Sequence, residues 1–291
     1  MAVLFALLSL VFAAMNDLVF KCYARKLRSR GLYVGIIGVV WTVVFAGAIV
    51  LSADNGRAFT EVTILWGVVS GLFSIVANIL LIEAMGRMEA GTCSTVYRLN
   101  LAFAAILAFV LLGETVTSMK LLGIVFATAA VACFSHHSRM VSGSAKGDKF
   151  VQIGFMTLVI MASLLRAAMG ISYKYALTAG ADQNGLLAFN GLMWILGGGV
   201  YFLAREKGAA LQGGRKSWLY GLLSGVLICG IVLFMALALQ HGDASIVLPV
   251  SQMSFIGTAL LGIFFLKERI SLAKCLGIVC GIACVLVMSL N

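Results

Sequence analysis

The chain has 291 residues, of which 62% are hydrophobic and only 11% charged, with a mean hydropathy of +1.08 and a net charge of +10. Soluble domains carry about 25% charged residues, so a soluble globular protein is excluded and the chain belongs in lipid. The apolar stretches are too long and too little alternating for an outer-membrane barrel, and 32 glycines against one proline suit close-packed helices.

Taken in order, ten windows of about the length that crosses a bilayer lie at roughly 2–20, 32–52, 62–83, 90–112, 116–136, 151–173, 185–204, 217–239, 244–266 and 270–290. The first lacks a basic leader and its basic residues follow it, so it reads as a retained helix and not as a signal peptide. The longest polar connectors, Ser138 to Lys149 and Arg205 to Lys216, leave no room for an extramembrane domain. With no GxxxxGK[ST] run, ATP-driven transport by this chain is not expected. The seven cysteines contain no CxxC pair, and His136-His137 falls at a span end; neither disulfides nor a metal site nor a cofactor is expected.

The basic residues map orientation. Connectors after the odd-numbered spans, with Lys274 just inside the tenth, hold 16 of the 21. The other connectors hold three, Arg57, Lys120 and Lys174, and two, Arg98 and Arg166, sit inside spans. The +10 is thus loop charge and no footprint for nucleic acid, and the positive-inside rule puts the odd connectors in the cytoplasm and both termini outside.

A shift of 154 residues lays Glu114–Phe134 (ETVTSMKLLGIVFATAAVACF) over Glu268–Met288 (ERISLAKCLGIVCGIACVLVM) with 8 of 21 positions identical, and Leu65–Gly71 over Leu219–Gly225. A shift of 153 matches Trp41 with Trp194, Gly38 with Gly191 and Lys21 with Lys174. The expected organisation is a first five-helix repeat over 1–137, a connector at 138–149 and a second repeat over 150–291. Five is odd, so the second copy enters the membrane from the opposite face. The charges agree: the first two connectors hold five basic residues then one in the first copy, and one then four in the second. The fold class read from this is all-α and polytopic, two inverted repeats, an architecture of secondary transporters.

The two repeats, each closing with an apolar helix, a glutamate-bearing turn (LLGETVTSMKLLGIV, FLKERISLAKCLGIV) and a glycine-rich last helix, resemble the EamA-type drug/metabolite transporters over essentially the whole chain. The resemblance implies transport and no enzymatic activity, and it leaves the substrate open. It also implies cytoplasmic termini, against the charge count. Glu114 and Glu268, at span ends, read as turn and packing elements outside the site.

Charges inside spans are costly unless paired or facing water. Asp17 has Lys21 and Glu83 has Arg87 four residues on, both suitable helical ion pairs, while Arg98 and Arg166 have no carboxylate three or four residues away. An arginine fork suits a carboxylate or phosphate. Tyr97, Arg98 and Asn100 share a helical surface too polar for lipid, and its repeat partner presents Ser251, Gln252 and Ser254 beside Pro249, the single proline. In the resembled family helices 4 and 9, with 1, 3, 6 and 8, line a central cavity. On that reading Asn16, Asp17, Ser74, Asn78, Arg166, Ser172, Tyr173 and Ser224 join the pathway, with Asn190 and Trp194 of helix 7 as wall residues.

The expectation is a secondary transporter in a cell (inner) membrane that moves a small polar metabolite, carboxylate-bearing such as an amino acid, by alternating access. Arg98 binds the anion, and Tyr97, Asn100 and Gln252 supply selectivity. The alternatives are efflux of hydrophobic or cationic compounds, against which unpaired arginines argue, and a non-transporting membrane scaffold. The partners are the lipid bilayer and a small-molecule substrate, with a coupling proton on Asp17 or Glu83, or a counter-substrate, as a further option. Nucleic acid is not a partner, and the oligomeric state is open, a monomer being sufficient.

Overall fold

The computed structural model describes residues 1–24, 28–52, 55–85, 97, 99–141, 149–206, 214–254, 256–257 and 272–290. Among the described residues the chain forms ten α-helices: α1 Ala2–Ala24, α2 Arg30–Leu51, α3 Glu61–Met85, α4 Asn100–Leu111, α5 Ser118–Val141, α6 Lys149–Thr178, α7 Gln183–Arg205, α8 Gly214–His241, α9 Ala244–Gln252 and α10 Leu272–Ser289. A short 3-10 turn, Asn55–Phe59, precedes α3. The protein is a multi-pass helical membrane protein. Six helices carry stretches long and apolar enough to cross a bilayer (in α1, α2, α3, α6, α7 and α8), and α4, α5 and α10 carry shorter apolar ones. The shortest, α9, contains Pro249, which removes one backbone donor and crowds the preceding turn; its ladder gives way at Met253 to a tighter bond onto the Val250 carbonyl.

Local sequence explains the ends. The Ser29 hydroxyl accepts from Leu32 N at 3.0 Å to cap α2, and Asp182 Oδ2 accepts from Gly185 N at 2.7 Å to cap α7. These caps stand 153 residues apart, at matching positions of the two repeats. Gly180, at φ +87°, turns the chain out of α6 while Ala181 N returns to the Ala176 carbonyl.

Packing follows the repeat. Helix α1 lies on α8 as α6 lies on α3, α2 lies on α8 as α7 lies on α3, and α1 meets α9 as α6 meets α4. Three pairs are images of one another: α2 with α7, α4 with α9, α5 with α10. The correspondence holds for single residues. Gly67 abuts Phe189 and Gly71 abuts Met193, while their images Gly221 and Gly225 abut Ile36 and Val40.

The central seam is α2 on α7. Gly31 meets Phe202, Gly35 meets Gly198, Gly38 meets Ile195 and Thr42 meets Gly191, so the two helices run antiparallel. An added Cβ at Gly38 would stand 2.6 Å from Ile195 N. Small residues are what allow backbones to approach this closely in lipid. Because two corresponding helices cross head to tail, the two-fold axis that relates the halves runs across the helices: the repeats are inverted with respect to each other.

Candidate functional site

Between the halves lies a cavity of about 270 Å³, walled by α1, α2, α3, α6, α7, α8 and the end of α9. This is near the lower end of the range for small-molecule sites, about 300–1,000 Å³. At its inner end Trp41 and Trp194, images of each other, stand with ring centroids 5.6 Å apart. Trp194 Nε1 donates to Ser74 Oγ at 3.0 Å. Trp41 is 1% exposed, and its Nε1 has no partner.

The Arg166 guanidinium reaches this cavity from α6, and its one hydrogen bond among the described residues goes to the Met169 thioether, Nη1 to Sδ at 3.4 Å. A sulfur is a weak acceptor, so most of the fork is free for an incoming anion. Asp17 accepts from Ser254 Oγ at 3.0 Å, and the Asn16 Oδ1 beside it is buried without a partner. Among the described residues no cluster of three or more His, Cys, Asp or Glu side chains suits a metal ion.

Toward the α1–α2 connection the cavity ends on aromatic rings. Phe20 and Tyr33 are 6.0 Å apart, and Tyr33 stacks on Tyr23 at 4.3 Å and meets Ser224 Oγ through its hydroxyl at 2.5 Å. The Arg28 guanidinium lies 5.2 Å from the Tyr23 ring and 4.9 Å from the Tyr220 ring. Burial first, and the nearby Glu206 charge, raise the Tyr23 phenol above its usual range against the opposing Ser217 bond. It stays protonated and donates to the Ser29 carbonyl.

Polar contacts away from the cavity tie both ends of the helices, Lys174 and Glu114 at the end opposite the aromatic rings and Glu83 at the same end as them. Lys174 Nζ donates to the Leu239 and Gly242 carbonyls at 2.7 and 2.8 Å, closing the end of α8. Glu114 accepts from Ala244 N at 2.6 Å and Ser245 N at 3.0 Å, capping α9 as a carboxylate caps a helix N-terminus. Glu83 pairs with Arg205, Nε to Oε1 3.1 Å, across to α7. The sequence had suggested Arg87, which lies outside the described residues.

Of the residues singled out from sequence, Asn16, Asp17, Ser74, Asn78, Tyr97, Arg166, Trp194, Ser251, Gln252 and Ser254 line the cavity. Arg98 and Glu268 lie outside the described residues. Asn100, Tyr173, Asn190, Ser224 and Ser172 are off its wall. Tyr173 Oη donates to Asn190 Oδ1 at 2.8 Å, and Asn190 Nδ2 is spent on the Gly67 carbonyl, Ser70 Oγ and the Leu186 carbonyl at 2.8–3.1 Å. That cluster is turned into the α3–α7 seam. Ser224 holds Tyr33, and Ser172 bonds back to the Ala168 carbonyl of its own helix at 2.8 Å. The asparagine Asn100 is 2% exposed, its Oδ1 unpartnered.

What sequence reasoning missed is α2, which supplies Tyr33, Val34, Ile37 and Trp41 to the wall. An almost wholly apolar helix reads as lipid-facing. The available signal was Gly31, Gly35 and Gly38 at helical spacing beside a tryptophan that matches Trp194.

Two inverted helical halves enclosing a solute-sized cavity define a membrane transporter fold. The EamA-like transporter family model matches residues 1–135 and again 154–290, and the chain belongs to that family, within the drug/metabolite transporter superfamily. An uncharacterised protein of Methanocaldococcus jannaschii is 36% identical over 77 residues, 26% of this chain; the alignment spans 56% of that relative's length. One solved crystal structure superposes with a TM-score of 0.82 over 99% of this chain and 96% of that one, at 13% identity, a likeness of fold alone.

Proposed function

We propose that the protein is a secondary transporter with ten crossings of a cell (inner) membrane, which carries a small carboxylate-bearing metabolite such as an amino acid by alternating access. The observation that carries this reading is Arg166, a guanidinium in the cavity wall whose one described hydrogen bond is to a thioether. A cation held in lipid without a carboxylate partner is costly, and an anionic solute removes that cost on binding. Arg98, on the opposite repeat, is the second anion-binding arginine, with Tyr97, Gln252 and Ser251 around the solute and Asp17 or Glu83 as the carrier of a coupling proton. The inverted halves supply the rocking that exposes the cavity to either side in turn.

The test is uptake into proteoliposomes of metabolites first selected by a thermal-shift screen of amino and hydroxy acids. Arg166→Gln and Arg98→Ala are expected to abolish uptake while the protein still folds; wild-type rates in both variants would overturn the anionic substrate. A screen that returns only hydrophobic cations would do so as well.

A further inference from the structure

The two tryptophans at the inner end of the cavity are images of each other, yet only one is satisfied. Trp194 donates its indole N–H to Ser74 on α3. The image of Ser74, 154 residues on, is Ile228 on α8, which also lines the cavity. Where one half places a hydroxyl, the other places an aliphatic chain, and Trp41 Nε1 is left buried without an acceptor. A buried donor left without an acceptor is costly.

A second orphan belongs to a residue of the same wall. Asn16 Oδ1 on α1 is buried and unpartnered, and Asn16 too lines the cavity. Both positions can be measured from the Phe20–Tyr33 contact at the aromatic end. Asn16 is four residues from Phe20 and Trp41 is eight from Tyr33, about 6 and 12 Å at 1.5 Å per residue. An unpartnered acceptor and an unpartnered donor are thus offset by about 6 Å along the helix direction, both on residues of the cavity wall. The donors Trp41 and Arg166 and the acceptors Asn16 and Asp17 all border one cavity.

Resting on the transport reading above, we infer that Trp41 is a substrate-binding residue: its indole N–H donates to a carboxylate oxygen of the solute, while Asn16 Oδ1 accepts from the solute's amine or hydroxyl. Ile228 keeps that N–H unspent. The mismatch between the halves makes the site one-handed, so a solute enters with its carboxylate toward the tryptophans and its donor toward the aromatic end.

The test uses the full chain in lipid nanodiscs, titrated separately with glycine, L-serine, L-leucine, L-phenylalanine and L-lactate, with the unfolding midpoint as readout. Ile228→Ser gives Trp41 the internal partner that Trp194 already has. It is expected to weaken the apparent Kd about tenfold, the equivalent of about 1.4 kcal/mol. Ile228→Val, which trims the side chain without adding a hydroxyl, is expected to weaken it less. Trp41→Phe is expected to weaken it by a similar factor to Ile228→Ser; should that variant fold poorly, Ile228→Ser, which keeps the indole, still decides. Wild-type apparent Kd in both Trp41→Phe and Ile228→Ser would overturn the inference, the indole then being served by solvent. If Arg166→Gln still abolishes binding in that case, the transport reading survives alone. If none of the five carboxylates stabilises the wild type, both fall together.

Discussion

Lys120 Nζ lies 2.6 Å from Asp243 Oδ2, with the lysine side chain 1% exposed and the aspartate 47%. The same ammonium donates to the Thr115 carbonyl at 3.0 Å. The start of α5 in the first repeat is thereby tied to the residue preceding α9 in the second. Removing Asp243 leaves a buried cation with one neutral acceptor, whereas removing Lys120 leaves a half-exposed carboxylate that water can solvate. Asp243→Ala is therefore expected to destabilise by about 2 kcal/mol and Lys120→Met by less, since stranding the buried partner is the costly half of such a pair. Thermal unfolding of both variants checks the order.

The α2–α7 seam makes a steric prediction. Gly38→Ala drives a methyl to within 2.6 Å of Ile195 N, where backbone and not a flexible side chain must move. Gly47, farther along the same helix, has nothing within 4 Å of the corresponding point. Gly38→Ala is expected to cost about 1–3 kcal/mol, in line with overpacked cores, and Gly47→Ala to be neutral or slightly stabilising in an unfolding assay.

Asn190 is the hub of a buried cluster, with Tyr173 as its donor and Gly67, Ser70 and Leu186 as its acceptors. Asn190→Leu is expected to cost about 3 kcal/mol, since it strands several buried groups at once, and Tyr173→Phe about 1 kcal/mol, since it strands one acceptor lone pair. Unfolding midpoints of the single and double variants, combined as a cycle, test whether the two act as one unit.

Orientation has its own measurement. The basic residues concentrate on connectors after odd-numbered spans, from which the positive-inside rule predicts a C-terminus outside the cytoplasm. A reporter fused after Asn291 that is active only outside is expected to be active; an expressed but silent fusion would give the termini the cytoplasmic side that the family resemblance implies.

The helices and the inverted halves were legible because they rest on period, length and charge, and those signals survive in the matched glycines Gly67, Gly71, Gly221 and Gly225. The wall of the cavity was only partly legible, and Tyr173 and Asn190 show why. Their images are Phe20 and Ile37, which do line the cavity. Polarity drew attention to the half that is packed shut, where tyrosine and asparagine satisfy each other, and away from the apolar half that is open. Side-chain type reports that a group needs a partner, and only the fold decides whether that partner is protein or solute. The orphan on Trp41 has the same origin: one tryptophan in a greasy helix says nothing until its counterpart is seen holding a serine.

The antiparallel seam, finally, is isologous: the surface that α2 offers to α7 is matched by the surface α7 offers back, as in a symmetric dimer. A single five-helix chain bearing that surface would recognise a second copy of itself, provided that the copies threaded the bilayer in opposite senses. Joining the two copies through one connector removes the need for one sequence to insert both ways. Each copy is then free to carry its own basic flank and, as Ser74 and Ile228 record, its own half of the recognition chemistry.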